Sequence, residues 1–224
     1  TTSDNTTQLA LISTDADANA GPILDLFRNS VSAADNDLTG QVYFSGNNDA
    51  DEKTYYGQLT SQITDVSNGS EDFTLELSTL TAGASNSRLF IGPTETVFNE
   101  QSADLDFRVE SDGNEHAFFL EGSSGNAGIG TSSPASLLHL SGSAPVLSFT
   151  DTNSFTDAND RFIVRAATDR GAIQWYDDSA STTSELMTFL PSGSVGIGTA
   201  APARTFEITS GQTVAQRWSS TGAN

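Results

Sequence analysis

The stretch "NAGIGTSSPASLLHL" at residues 126–140 returns as "SVGIGTAAPARTFEI" at residues 194–208. Gly128 and Gly196, Ile129 and Ile197, Gly130 and Gly198, Thr131 and Thr199, Pro134 and Pro202, and Ala135 and Ala203 all stand 68 positions apart (196 − 128 = 68). Repetition at a fixed offset means one supersecondary unit used again. The repeated words are those of a backbone device. Gly128 and Gly130 permit angles or close approaches that a Cβ would block. Pro134 fixes one dihedral and offers no ladder N–H, so it marks a break before a new strand. The run Leu137, Leu138, Leu140 starts that strand, and Phe206 and Ile208 take the places of Leu138 and Leu140 in the second copy. The phrase therefore reads as a joint: one strand ends, the chain crosses, and a next module begins.

Strands are expected on both sides of each joint. Residues 73–77, "FTLEL", alternate Phe73, Leu75 and Leu77 with Thr74 and Glu76, the period-two pattern of a strand with one dry face. Residues 105–110, "LDFRVE", do the same, and 41–46, 161–166, 172–177 and 206–209 add further strands. Clusters such as "DNDLTG", "SNGSED" and "ESDGNE" between them favour turns. No apolar helix stripe exceeds about two turns; "SVSAADND" (30–37) and "TSSPASLL" (131–138) are each long enough for a helical turn and no more. The fold class is all-β.

Composition narrows the partners. Nine Lys and Arg against 29 Asp and Glu leave a net charge of −20, which repels phosphate and makes nucleic acid and anionic membranes poor partners. The same charge keeps exposed strand edges soluble. Cysteine is absent, which removes disulfides, thiol nucleophiles and Cys-ligated zinc. No run approaches the ~18 apolar residues of a spanning helix, and no signal peptide is read at the start. Both ends, "TTSDNTT" and "RWSSTGAN", read as cuts through a longer polypeptide.

The modules rhyme beyond the joints. "LLHLSGSAPVLSF" has a counterpart in "QLALISTDADANAGPILDLF": a short apolar strand, a polar turn, then a proline leading another apolar strand. The expected organisation is a first module over 1–133 with a degenerate joint near "RLFIGPTET" (88–96), a second over 134–201, and the start of a third over 202–224. At 36% apolar residues, below the usual share, modules of this size bury little core alone. Stacking along an axis and pairing around it would bury what one module leaves wet. A monomeric pair of β-sandwiches is the plainer alternative.

The run "ADLDFRVESDGNEHAFFLEGSSGNAGIGTSSPASLLHL" resembles the modular β-repeats of bacteriophage fibre and other virion appendage proteins, especially those of marine phages. In those proteins a "DFRVESD" strand, a "HAFFL"-type strand and a "GNxGIGTxxP" joint recur in this order. "DNDLTGQVYFSGNNDADEKTYYGQLTSQITDVSNGSEDFTLEL" resembles a segment found upstream of such joints, so the resemblance covers most of the chain. It implies an elongated, intertwined homotrimeric fibre of β-sandwich- or β-prism-like modules on a virus particle. The implied partners are copies of the chain itself, other virion structural proteins and a host surface glycan. Such stalks often carry a host-binding or self-cleaving chaperone domain at the far C-terminal end, and no such domain is read here. A carbohydrate-binding or polysaccharide-depolymerising module of the same appendage is the first rival reading, and a bacterial surface adhesin repeat is the second.

Chemistry-bearing residues are few and poorly ordered. Asp15, Asp17 and Asn19 alternate before Gly21, a spacing of oxygen ligands that suits calcium. An EF-hand, however, needs Gly at its sixth place and Glu at its twelfth, where this chain has Ala20 and Leu26. A plain acidic turn is the expectation. His116 and His139 read as strand residues, with no nucleophile elbow in the chain. "GNAGIG" is followed by no amphipathic helix, so it is not a dinucleotide loop. Asp104, Asp106 and Glu110 fall on one alternating face, as paired carboxylates of a glycan hydrolase would, and as any solvated strand face does. The tandems Tyr55–Tyr56 and Trp175–Tyr176 place one ring on each side of a sheet, which leaves a ring for sugar stacking or an interface. No residue is assigned to catalysis, to a cofactor or to a metal, and the expectation is a non-enzyme.

Overall fold

A computed structural model of the chain describes residues 6–16, 18, 21–152, 159–167 and 169–209. These residues form strands and turns without a helix, so no helix is long and apolar enough to cross a membrane. The stretches 30–37 and 131–138 hold turns and bends. The chain divides into two compact units, Thr1–Leu105 and Asp106–Asn224.

The first unit carries one sheet of five strands: β1 (Leu38–Asn47), β2 (Lys53–Asp65), β3 (Asp72–Thr81), β4 (Ala84–Ile91) and β5 (Thr96–Phe98). The second carries two sheets. One has β6 (Phe107–Ser111), β7 (Asn114–Leu120), β8 (Ala127–Ile129) and β9 (Leu138–Leu140). The other has β10 (Val146–Asp151), β11 (Asp160–Ala167), β12 (Arg170–Asp177), β13 (Thr182–Phe189), β14 (Val195–Ile197) and β15 (Phe206–Ile208). In all three, strand order follows chain order. Neighbours run antiparallel except β8–β9 and β14–β15, which are parallel. None of the three sheets is closed.

Period-two alternation sets the faces. Register places Val42, Leu59, Leu77, Leu89 and Phe98 in one row across all five strands of the first sheet. Gln41, Thr60 and Glu76, one residue away on β1 to β3, point to the other side. The last sheet repeats the design with Leu147, Val164, Ile173, Met187, Ile197 and Ile208 across six strands. These rows are not covered: Val42, Leu59, Leu77 and Phe98 are 36% to 57% exposed, and every residue of β10 is exposed. Substantial contacts between strands join hydrogen-bonded neighbours in a sheet, not one sheet face to another. The buried hydrophobic residues among the described ones are therefore only Phe119, Ile163 and Ala172. Burial is instead deepest on the polar side of the last sheet, where Thr188 and Gln174 lie under a network on Glu185. Gln174 Nε2 donates to Glu185 Oε2 at 2.6 Å, Thr188 Oγ1 donates to Oε1 at 2.8 Å, and Arg170 sits 3.6 Å away.

The two glycine-proline phrases form the same local structure. In each, a three-residue strand lies antiparallel to the strand before it and parallel to the one after it. The parallel partners are joined by residues 130–137 and 198–205, shorter than the dozen or so that a parallel crossover ordinarily takes. Ala127 N–H donates to Leu137 O at 2.9 Å and Ser141 N–H to Ile129 O at 2.9 Å. Val195 to Thr205 and Thr209 to Ile197 match them at 2.8 Å each. Gly130 and Gly198 take φ of +80° and +70°, and a Cβ on either would lie 2.3 Å from the carbonyl oxygen of Ser141 or Thr209. Pro134 and Pro202 are buried inside the link.

Three expectations are corrected here. The strand after each proline closes the sheet that precedes it, with β9 on β8 and β15 on β14, and does not open the next one. Alternation tells which face a strand presents and says nothing of its partner. The stretch 88–96 holds an antiparallel turn, Gly92 N–H to Glu95 O at 2.9 Å, and no parallel strand follows it. Strand β6 begins at Phe107, so Asp104 and Asp106 precede it and share no strand face with Glu110.

Candidate functional site

A groove in the first unit opens beside the tyrosine tandem. A two-residue step of β2 at Tyr56 faces one residue of β1, since Phe44 pairs with Gly57 and Ser45 with Tyr55. This bulge leaves the rings on opposite sides. Tyr55 meets Tyr43, with ring centroids 4.5 Å apart and planes at 44°. Tyr56 turns the other way, against Gly46, whose Cβ would stand 3.4 Å from its ring. The expectation of one ring on each face holds. Lys53, the single lysine of the chain, sets its ammonium 5.1 Å from the centre of the Tyr55 ring. The groove, about 680 Å³, continues over Gln58, Ser78 and Leu80 to the β3–β4 turn at Gly83 and Ser85. Tyr43 and Tyr55 are 43% and 49% exposed. Tyr43 Oη donates to Gln41 Oε1 at 2.7 Å and so holds its ring upright.

The second tandem also splits. Trp175 joins the apolar side beside Phe162, its Nε1 donating to Asp160 Oδ2 at 3.3 Å. Tyr176 lies on the other side beneath the Arg161 guanidinium, 4.3 Å from the ring centre. Arg161 thereby covers the ring that would otherwise be free for a ligand.

Both histidines have local partners. His116 stands edge-on to Phe119, centroids 5.7 Å apart, and its carbonyl accepts Gly130 N–H at 2.8 Å. His139 Nδ1 accepts Ala135 N–H at 3.3 Å. Glu207, at the matching place of the second phrase, does the same for Ala203 at 2.6 Å. The side chain at this position ties down the link after the proline. His139→Glu is therefore expected to keep the stability of the protein, while His139→Leu loses about 1 kcal/mol, the worth of one such bond. Urea unfolding of the two variants checks this.

The carboxylates singled out from sequence do not converge. Asp106 Oδ1 accepts Gly122 N–H at 3.0 Å, and Glu110 pairs with Arg108 on the same strand. Asp104 is exposed. Asp15 is exposed too, its N–H donating to Ser13 Oγ at 3.1 Å, while Asp17 and Asn19 lie outside the described residues. Among the described residues no group of three His, Asp or Glu is placed to hold a metal ion. Asp65 is held below the ordinary carboxylate pKa of 3.8 by donors from Ser67, hydroxyl and amide, with the Ser70 hydroxyl adding to them. This is turn chemistry: the bonds hold above that range and fade as pH falls through the lowered value.

What alternation did not reveal is the groove itself, because its far wall comes from the β3–β4 turn. The two adjacent tyrosines were its one signal. A scan against protein-family models gives no match for the chain, and a search of the curated proteins gives none.

Proposed function

We propose that the chain is a structural segment of a virion fibre or appendage that works as a homotrimer of successive β modules. Its task is mechanical and positional: it holds a recognition module away from the particle or decorates the shell. The observation that carries this reading is the uncovered apolar row on each large sheet. Each row spans five or six strands and is half-exposed, an arrangement that costs roughly 25 cal/mol for every Å² left in water. Copies of the same chain, related by a closed rotational symmetry, would cover such rows without leaving an open edge to recruit further chains. The matching glycine-proline phrases support the modular part of the reading, since the same link finishes two successive sheets. The resemblance to phage appendage repeats supplies the particle and its other structural proteins as neighbours.

No catalytic role is proposed for any residue. Light scattering on the purified chain at micromolar concentration is expected to give three times the 23.5 kDa chain mass. A clean monomer overturns the reading.

A further inference from the structure

We propose that the glycine-proline link of residues 130–137 is a proton-sensitive hinge, with the His139 imidazole as the group that takes the proton. This rests on the geometry of the link alone and would stand if the fibre reading fell. The first support is the direction of one hydrogen bond. Ala135 N–H donates to His139 Nδ1 at 3.3 Å. An amide N–H only donates, so this nitrogen holds a lone pair and the imidazole is neutral wherever the bond exists. A proton added at Nδ1 turns the acceptor into a donor, and two donors then face each other. Histidine is the side chain that ordinarily makes this change between about pH 5 and 8. His139 is only partly covered, so water reaches it.

The second support is the contrast between the two phrases. At the matching position of the second, Glu207 Oε2 accepts Ala203 N–H at 2.6 Å. A carboxyl group keeps an acceptor oxygen even when protonated, so this clip survives conditions that undo the first. The chain's other histidine, His116, is not the sensor. Its carbonyl, not its ring, accepts Gly130 N–H, and its ring stands against Phe119.

The third support is what surrounds His139. It pairs with Gly128 on β8, and neither β8 nor residues 130–137 contain a charged side chain. Beyond β8, β7 brings Glu115 and His116, with Glu121 just after it, and β6 brings Arg108 and Glu110, which pair with each other. No ion pair among the described residues includes His139, so no carboxylate stands ready to hold an imidazolium in the folded link. Asn126 Nδ2 donates to Pro134 O at 3.1 Å, a tie that the proton leaves intact. The start of the link therefore stays fixed, and the loosening falls on residues 135–138.

Hydrogen–deuterium exchange of the full chain, read by mass spectrometry at about pH 7.5 and about pH 5.5, tests this. It compares a peptide over residues 131–141 with one over residues 199–209. After correction for the intrinsic rate, the first is expected to exchange about fivefold faster at the lower pH, the factor for one hydrogen bond. The second is expected to hold. His139→Glu should make the first peptide as indifferent to pH as the second, while His116→Gln should leave its response in place. Should a variant fail to fold, the comparison of the two peptides in the natural chain stands by itself. Equal behaviour of the two peptides overturns the proposal, as does a response that survives His139→Glu or vanishes in His116→Gln.

Discussion

Gly130→Ala and Gly198→Ala are each expected to cost the folded protein about 3 kcal/mol or more, the largest loss from any single methyl group added to the chain. Two penalties combine. A φ near +80° or +70° costs an L-residue with a Cβ about 1–2 kcal/mol. In addition, the new Cβ would sit 2.3 Å from the backbone carbonyl of Ser141 or Thr209, residues whose own N–H groups are tied to Ile129 O and Ile197 O. Two other glycines separate these costs. Gly113 has φ of +77° with nothing within 4 Å of its Cβ position, so Gly113→Ala pays the backbone cost alone. Gly142 meets nothing and has no positive φ, so Gly142→Ala is expected to be nearly silent. Denaturant unfolding of the four variants ranks them. If Gly130→Ala loses no more than Gly113→Ala, the close approach at Ser141 carries no weight.

A carboxylate set into an apolar row should separate the chains of the proposed homotrimer. Leu147→Asp and Leu77→Asp are each expected to reduce the scattering mass from three chains to one, or to leave the protein insoluble. Covering a leucine is worth about 1.5–3 kcal/mol. Trimerisation would count that three times, and burying an unpaired carboxylate in its place costs more still. Ser148, next to Leu147 on the other face of β10, is the control: Ser148→Asp should leave the mass alone. Equal behaviour of the two β10 variants would show that this face is not an interface.

The sequence was legible where side-chain pattern alone decides the outcome. Phe73, Leu75 and Leu77 announced β3 and its apolar side, though that side is left in water, and the tandem Tyr55–Tyr56 announced rings on two faces. Strand β2 was quieter, because "KTYYGQLTSQITD" has few apolar residues and a glycine at its middle. Strand β13 was hidden by the bulge opposite Ile173 and Gln174, which breaks the alternation at Leu186. The partner of the strand after each proline was illegible for a different reason. A three-residue strand such as β9 carries one face's worth of pattern, and its attachment to β8 is made by backbone groups that every sequence has. Of the candidate groove, one wall could be read and the other could not, since Ser85 arrives there only through the β3–β4 pairing.

Strand order that follows chain order has a kinetic consequence. Each segment leaving the ribosome finds its pairing partner in the segment just synthesised, so loop closure is cheap at every step and contact order stays low for a β protein. Even the parallel additions wait for only eight further residues. Sheets of this kind can zip up from the N-terminal end during translation, so that in the proposed homotrimer association between finished chains would be the slow, concentration-dependent event.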